Sequence, residues 1–155
     1  MSVYTVLNKR KLLIFISFLA LLLLLFCESY TVYAGQRPNA QSNADRVDYI
    51  YSLGFSVNET PRAVEDITIP ISFSDVYKSY NELQLLAGFD LREFQGKNVT
   101  KYSYVVKADE TVLVNLLVYK GRIVGGDICC IRLDGFMKPL VKQENKEHYG
   151  TNSFG

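Results

Sequence analysis

Two adjacent cysteines follow an acid in the run G-G-D-I-C-C-I-R-L, with Asp127 just ahead of Cys129 and Cys130. A thiol near a carboxylate and a second thiol suggests three chemistries: a redox pair, a soft-metal site or an activated nucleophile. Each needs its groups on one side of the chain. Preceded by Ile123 and Val124, the run carries Ile128 and Ile131 and reads as a strand. Neighbouring side chains of a strand point to opposite faces, so Cys129 and Cys130 cannot jointly hold a metal or work as a C-x-x-C pair. The third cysteine, Cys27, falls in an apolar N-terminal run, and the single histidine, His148, falls near the C-terminus. That leaves no Cys-and-His zinc site and no histidine to activate a nucleophile, and both cysteines read as small packing residues.

Acids and aromatics remain. Asp127 reads preferentially as a bulge residue bonding local amides and alternatively as a partly buried carboxylate lining a groove. The pairs Glu65-Asp66 and Asp109-Glu110 read as solvated charge, and G-G-D lies inside a strand, not between strand and helix as a phosphate-binding loop would. No catalytic residue, metal ligand or cofactor is assigned. Tyr102, Tyr104 and Tyr119 supply large contact area at low entropic cost, and with Asp127 and Asp134 they form the candidate binding set.

These residues must be positioned by a small body. The chain has 155 residues, 48% of them hydrophobic, enough for one domain. Three β-rich runs, Y-S-Y-V-V, T-V-L-V-N-L-L-V-Y and R-I-V-G-G-D-I-C-C-I-R-L, make the back half a sheet, and the middle run is apolar on both faces, as in a central strand. A two-residue loop at Lys120-Gly121 sets Tyr119 against Arg122 and Val118 against Ile123; continued without interruption, the register sets Val114 against Asp127 and Val112 against Cys129. A bulge at Gly125-Gly126 would switch the phase of every later residue in the strand. In front lie the extended A-V-E-D-I-T-I-P-I and two helices. One starts at Ser42 or Asn43 and stops at Gly54. The other starts at Ser74, stops at Gly88 and turns Val76, Tyr80, Leu83, Leu86 and Ala87 inward.

Residues 12–27 are apolar all round and follow Lys9, Arg10 and Lys11. As a helix this run is about 24 Å long, which fits a membrane anchor or a signal h-region, with cleavage near Ala34 in the second case. The basic flank places residues 1–11 in the cytoplasm and the portion after the apolar run outside the cytoplasmic membrane. Residues 28–41 read as a linker, 42–137 as the extracytoplasmic domain and 138–155 as a flexible polar tail. Over 42–137 ten Lys or Arg face thirteen Asp or Glu, a mildly acidic balance that argues against nucleic acid as a partner.

The segments I-T-I-P at Ile67, Y-N-E-L-Q at Tyr80, N-L-L-V-Y-K-G-R-I-V-G-G-D at Asn115 and L-D-G-F-M at Leu133 resemble a Firmicutes family of uncharacterised membrane-anchored proteins catalogued as domain of unknown function 4830. The resemblance implies one N-terminal membrane segment and one extracytoplasmic domain, and no activity. The expectation is an α+β fold: two helices on one face of an antiparallel sheet of about four strands, preceded by one hydrophobic N-terminal segment. The expected function is non-catalytic binding or regulation at the bacterial cell envelope, with the membrane engaged through residues 12–27 and an envelope protein or peptide as partner. The alternative is a secreted or tethered hydrolase-like enzyme using Asp127 and Asp134.

Overall fold

The computed structural model describes residues 12–22 and 37–143. Residues 12–22 form a helix, α1, and belong to a unit separate from Arg37 onward. Among the described residues no helix is long and apolar enough to cross a membrane. The remainder of the 12–27 segment, the basic flank at 1–11, the linker residues 28–36 and the tail residues 144–155 lie outside the described residues.

The second unit is α+β. Helix α2 spans Asn43–Ser52 and α3 spans Asp75–Leu86; the strands are β1 Ala63–Thr68, β2 Asn98–Val106, β3 Asp109–Tyr119, β4 Arg122–Cys130 and β5 Met137–Pro139, in one antiparallel sheet of order β1-β2-β3-β4-β5. Local chemistry sets the helix limits. Ser42 accepts from Asp45 N and its own N–H donates to the Asp45 carboxylate, a closed capping box, and Ser74 caps α3. Both helices end at a glycine of positive φ, Gly54 and Gly88, and in both the next residue, Phe55 or Phe89, donates its N–H back to the last turn and packs into the core. Lys120 and Gly121 both have positive φ, the requirement of the tight β3–β4 turn.

Four expectations need correction. The sheet has five strands, because the stretch that reads as the start of a tail supplies β5; Leu140 is buried beyond it and Gln143 N donates to Leu53 O. At the other end, the described part of the linker packs too, with Ala40 buried and its N–H donated to Gly121 O. Counted over 37–143, thirteen Lys or Arg face thirteen Asp or Glu, so the acidic balance disappears.

The register is the third correction. Val118 opposes Ile123, but Leu117 opposes Gly125, so Val124 is a bulge residue and every later pair moves by one: Asn115 with Asp127, Leu113 with Cys129, Val112 with Cys130. The bulge lies one residue ahead of the expected place. It turns both Val124 and Gly125 to one face, where a side chain on Gly125 would collide with Gln84, Leu117 and Leu91.

Fourth, the helices cover opposite faces. Val47 and Ile50 of α2 share a core with Tyr104, Val112, Val114, Leu116, Ile123 and Ile128. Tyr77 and Tyr80 of α3, with the 3-10 turn Leu91–Phe94, pack on the other side against Val99, Leu117 and Val124. Alternation along β3 separates the two sets, and it explains why that strand is apolar on both faces.

Candidate functional site

Of the three tyrosines one is a core residue and two are half-buried against the cores. Tyr104 is 0% exposed; its hydroxyl donates to Asn43 Oδ1 at 2.9 Å and accepts from Arg46 Nε at 2.9 Å. The Arg46 guanidinium lies 3.8 Å above the ring of half-buried Tyr102 and donates to Ala40 O. Tyr119 is on the opposite face, its ring edge-on to Phe94 at 5.5 Å. The three therefore form no common exposed surface. Asp134 is exposed on the connection between β4 and β5, whereas Asp127 is 3% exposed within β4, and the structure does not join them.

The register assembles a different site on the α3 face. Antiparallel partners share a face, so Ala63, Ser103, Asn115, Asp127 and Pro139 form one row across all five strands. Its centre is a chain of hydrogen bonds. Ser103 Oγ donates to Asn115 Oδ1 at 2.7 Å, Asn115 Nδ2 donates to Asp127 Oδ1 at 2.7 Å, and from α3 the Tyr80 hydroxyl donates to Asp127 Oδ2 at 2.8 Å. Asp127 thus fits the groove-lining alternative, with side-chain partners 47 and 12 residues away and not local amides. Burial pushes its carboxyl above the usual carboxylate range, partly offset by the two donors and by Lys101. Burial first, and then the Asp127 charge, push the Tyr80 phenol up.

Beyond this row lies an apolar one, Val105, Leu113, Cys129 and Met137: the first three are half-buried and Met137 is 51% exposed. Helix α3 borders it. Its sheet-facing side is Tyr77, Tyr80, Asn81 and Gln84, and Asn81 binds Leu91 N and Asp90 on the 3-10 side. Val76, Tyr80 and Leu83 follow at i, i+4 and i+7, so the flank away from the 3-10 turn is apolar. Val76 is 81% and Leu86 72% exposed, the reverse of the inward orientation that their spacing suggests. Together the apolar row and this flank make a groove with the polar row along its inner edge.

Its chemistry is quiet. Cys129 Sγ sits 3.3 Å from Asn115 Nδ2, and burial, then the Asp127 charge, raise its thiol, so it stays protonated at neutral pH. Cys130 points to the opposite face, as alternation requires, and there it is buried. Among the described residues no three His, Cys, Asp or Glu side chains converge as a metal site would need.

Compared with protein-family models, curated proteins and solved structures, the chain matches none.

Sequence reasoning missed Tyr80, Asn115 and Ser103 as site residues. Asn115 did leave a signal, being the one polar residue within V-L-V-N-L-L-V. A lone amide in a central strand must find buried partners, and here it links two neighbouring strands.

Proposed function

We propose that this protein is a non-catalytic binding or regulatory module at the outer side of a bacterial cytoplasmic membrane, tethered through residues 12–27 and taking an envelope protein or peptide as partner. The membrane placement rests on the basic flank and apolar run, and on the resemblance to the uncharacterised anchored family. The binding role rests on one observation: an open apolar row edged by a satisfied polar row and faced by an apolar helix flank. Exposed apolar surface rimmed by polar groups is the usual mark of an interaction site. Catalysis finds no support in the same groups, since the thiol is held protonated and the carboxylate already accepts from two donors.

A photo-crosslinking residue placed at Met137 in the full chain, in intact cells, tests this reading. Adducts are expected from Met137 and not from the exposed Asp48 of α2, and they should vanish in Val76→Glu. Equal adducts from both positions would sink it. An impermeant amine label reaching Lys142 only after permeabilisation would remove the extracytoplasmic placement.

A further inference from the structure

We propose that the groove takes an extended peptide through a Lys or Arg side chain directed at Asp127, an inference that rests on the binding reading above. Asp127 is a buried acid with no ion-pair partner among the described residues. Lys101, the cation whose charge bears on it, is engaged by Glu65. The groups facing Asp127 are Tyr80 from α3, Asn115 from β3, Lys101 from β2 and Cys129 on its own strand. On this part of the face Glu65 and Asp127 stand against Lys101 alone, one negative charge in excess. A buried carboxylate without a cation is costly, and a ligand cation supplies the missing charge.

Position and shape select the rest of the ligand. One residue along the same face from Asp127 the floor opens, at half-buried Cys129, and Tyr80, itself half-buried, forms the wall. A cationic side chain entering between them meets the carboxylate lone pairs that Tyr80 and Asn115 leave free. From Val105 to Met137 the apolar row crosses four strands, about 14 Å at ~4.8 Å per strand, which matches four residues of an extended chain. Such a chain turns alternate side chains down onto the row. An acyl chain on the same strip would keep much of its length in water.

The probes are synthetic octapeptides of alternating Val and Ser with one central Lys, Arg, norleucine or Glu, titrated against the purified full chain in detergent. The Lys and Arg peptides should bind at least about tenfold more tightly than the norleucine peptide, with Glu weakest. In Asp127→Asn that preference should vanish while the domain stays folded, because Asn can accept from Asn115 and donate to Tyr80. Protection of Cys129 from alkylation by bound peptide locates the site. Equal affinity for Lys and norleucine, with Val76→Glu still weakening both, overturns the cation and leaves the groove standing. A Lys preference that survives Asp127→Asn overturns the role of Asp127. Protection of Cys129 by phosphatidylglycerol vesicles and by no peptide overturns the peptide, and protection by neither overturns the binding reading itself.

Discussion

Tyr80 on α3 donates its phenolic hydrogen to Asp127 on β4 at 2.8 Å, and together with the bond from Gly126 N to Gln84 Oε1 it fastens the polar side of the helix to the sheet. A hydrogen bond to an ionised acceptor in a low-dielectric site is worth more than a neutral one. Tyr80→Phe keeps the ring and removes only the hydroxyl. It should lower unfolding free energy by about 2 kcal/mol, read as a lower denaturant midpoint at unchanged slope. An unchanged midpoint would mean that the bond is not formed in solution.

The pH dependence stems from the same pair. Burial raises the carboxyl of Asp127 above its unfolded value near 4, so the folded state holds that proton more tightly than the unfolded chain does. The stability from that proton is fully present below about pH 4 and is lost as pH rises through the higher folded value. Asp127→Asn, which has no proton to lose, should flatten the stability profile over that interval and be more stable than the wild type above it. A parallel profile in the variant would show that Asp127 is not the group responsible.

Tyr104 should behave as core, not as a contact residue. Removing its ring leaves a cavity beneath α2 and takes a partner from Arg46, so Tyr104→Ala should cost about 3–5 kcal/mol. Tyr104→Phe isolates the hydroxyl and should cost about 1–2 kcal/mol. Partner binding by the folded Phe variant should be unchanged. If the Ala variant folds with wild-type stability, the ring lies at the surface.

What was legible in the sequence was local. The capping box at Ser42, the glycine stops at Gly54 and Gly88 and the turn at Lys120-Gly121 are each set by a few neighbouring residues, so they can be read without knowing what packs above them. Long-range geometry could not. Met137–Pro139 is too short and too mixed to look like a strand until β4 offers its edge. One extra residue at Val124 exchanges the faces of Cys129 and Cys130 and brings Asp127 opposite Asn115. Helix α3 misleads because its apolar stripe is split: Val76 and Leu86 face outward, while Tyr80 faces the sheet beside Tyr77, Asn81 and Gln84. The apolar character of β3 on both sides was the clue that both faces of the sheet are covered.

The bulge makes its own test. A side chain on Gly126 would come within 2.6 Å of Asn115 O and of Leu140 Cδ2, one a backbone atom of the neighbouring strand and the other a buried core atom. Neither can retreat far. Gly126→Ala should therefore cost about 2–3 kcal/mol by overpacking. Gly121→Ala adds a conformational penalty at positive φ and a clash with the Gln41 side chain. Wild-type stability in Gly126→Ala would argue for the unbulged register, in which the neighbours of this residue differ.

The outward stripe of α3 gives the last prediction, and it separates a surface from a core without any ligand. Val76 at 81% and Leu86 at 72% exposure lose little contact when replaced, whereas Leu91 and Leu117 are buried beneath the same helix and its following turn. Val76→Glu places an acid in the first turn of α3, where the positive helix end favours it, and Leu86→Glu places one in the last turn, where the dipole disfavours it slightly. Both should stay within about 0.5–1 kcal/mol of wild type, with Val76→Glu the more stable. Leu91→Ala and Leu117→Ala should each cost about 2–5 kcal/mol. The stripe would instead be core if Val76→Glu unfolds the domain, because no exposed substitution at a favourable helix position carries so large a penalty. If both Glu variants fold as expected and Val76→Glu loses the Met137 crosslink, the flank contributes to binding while contributing almost nothing to stability.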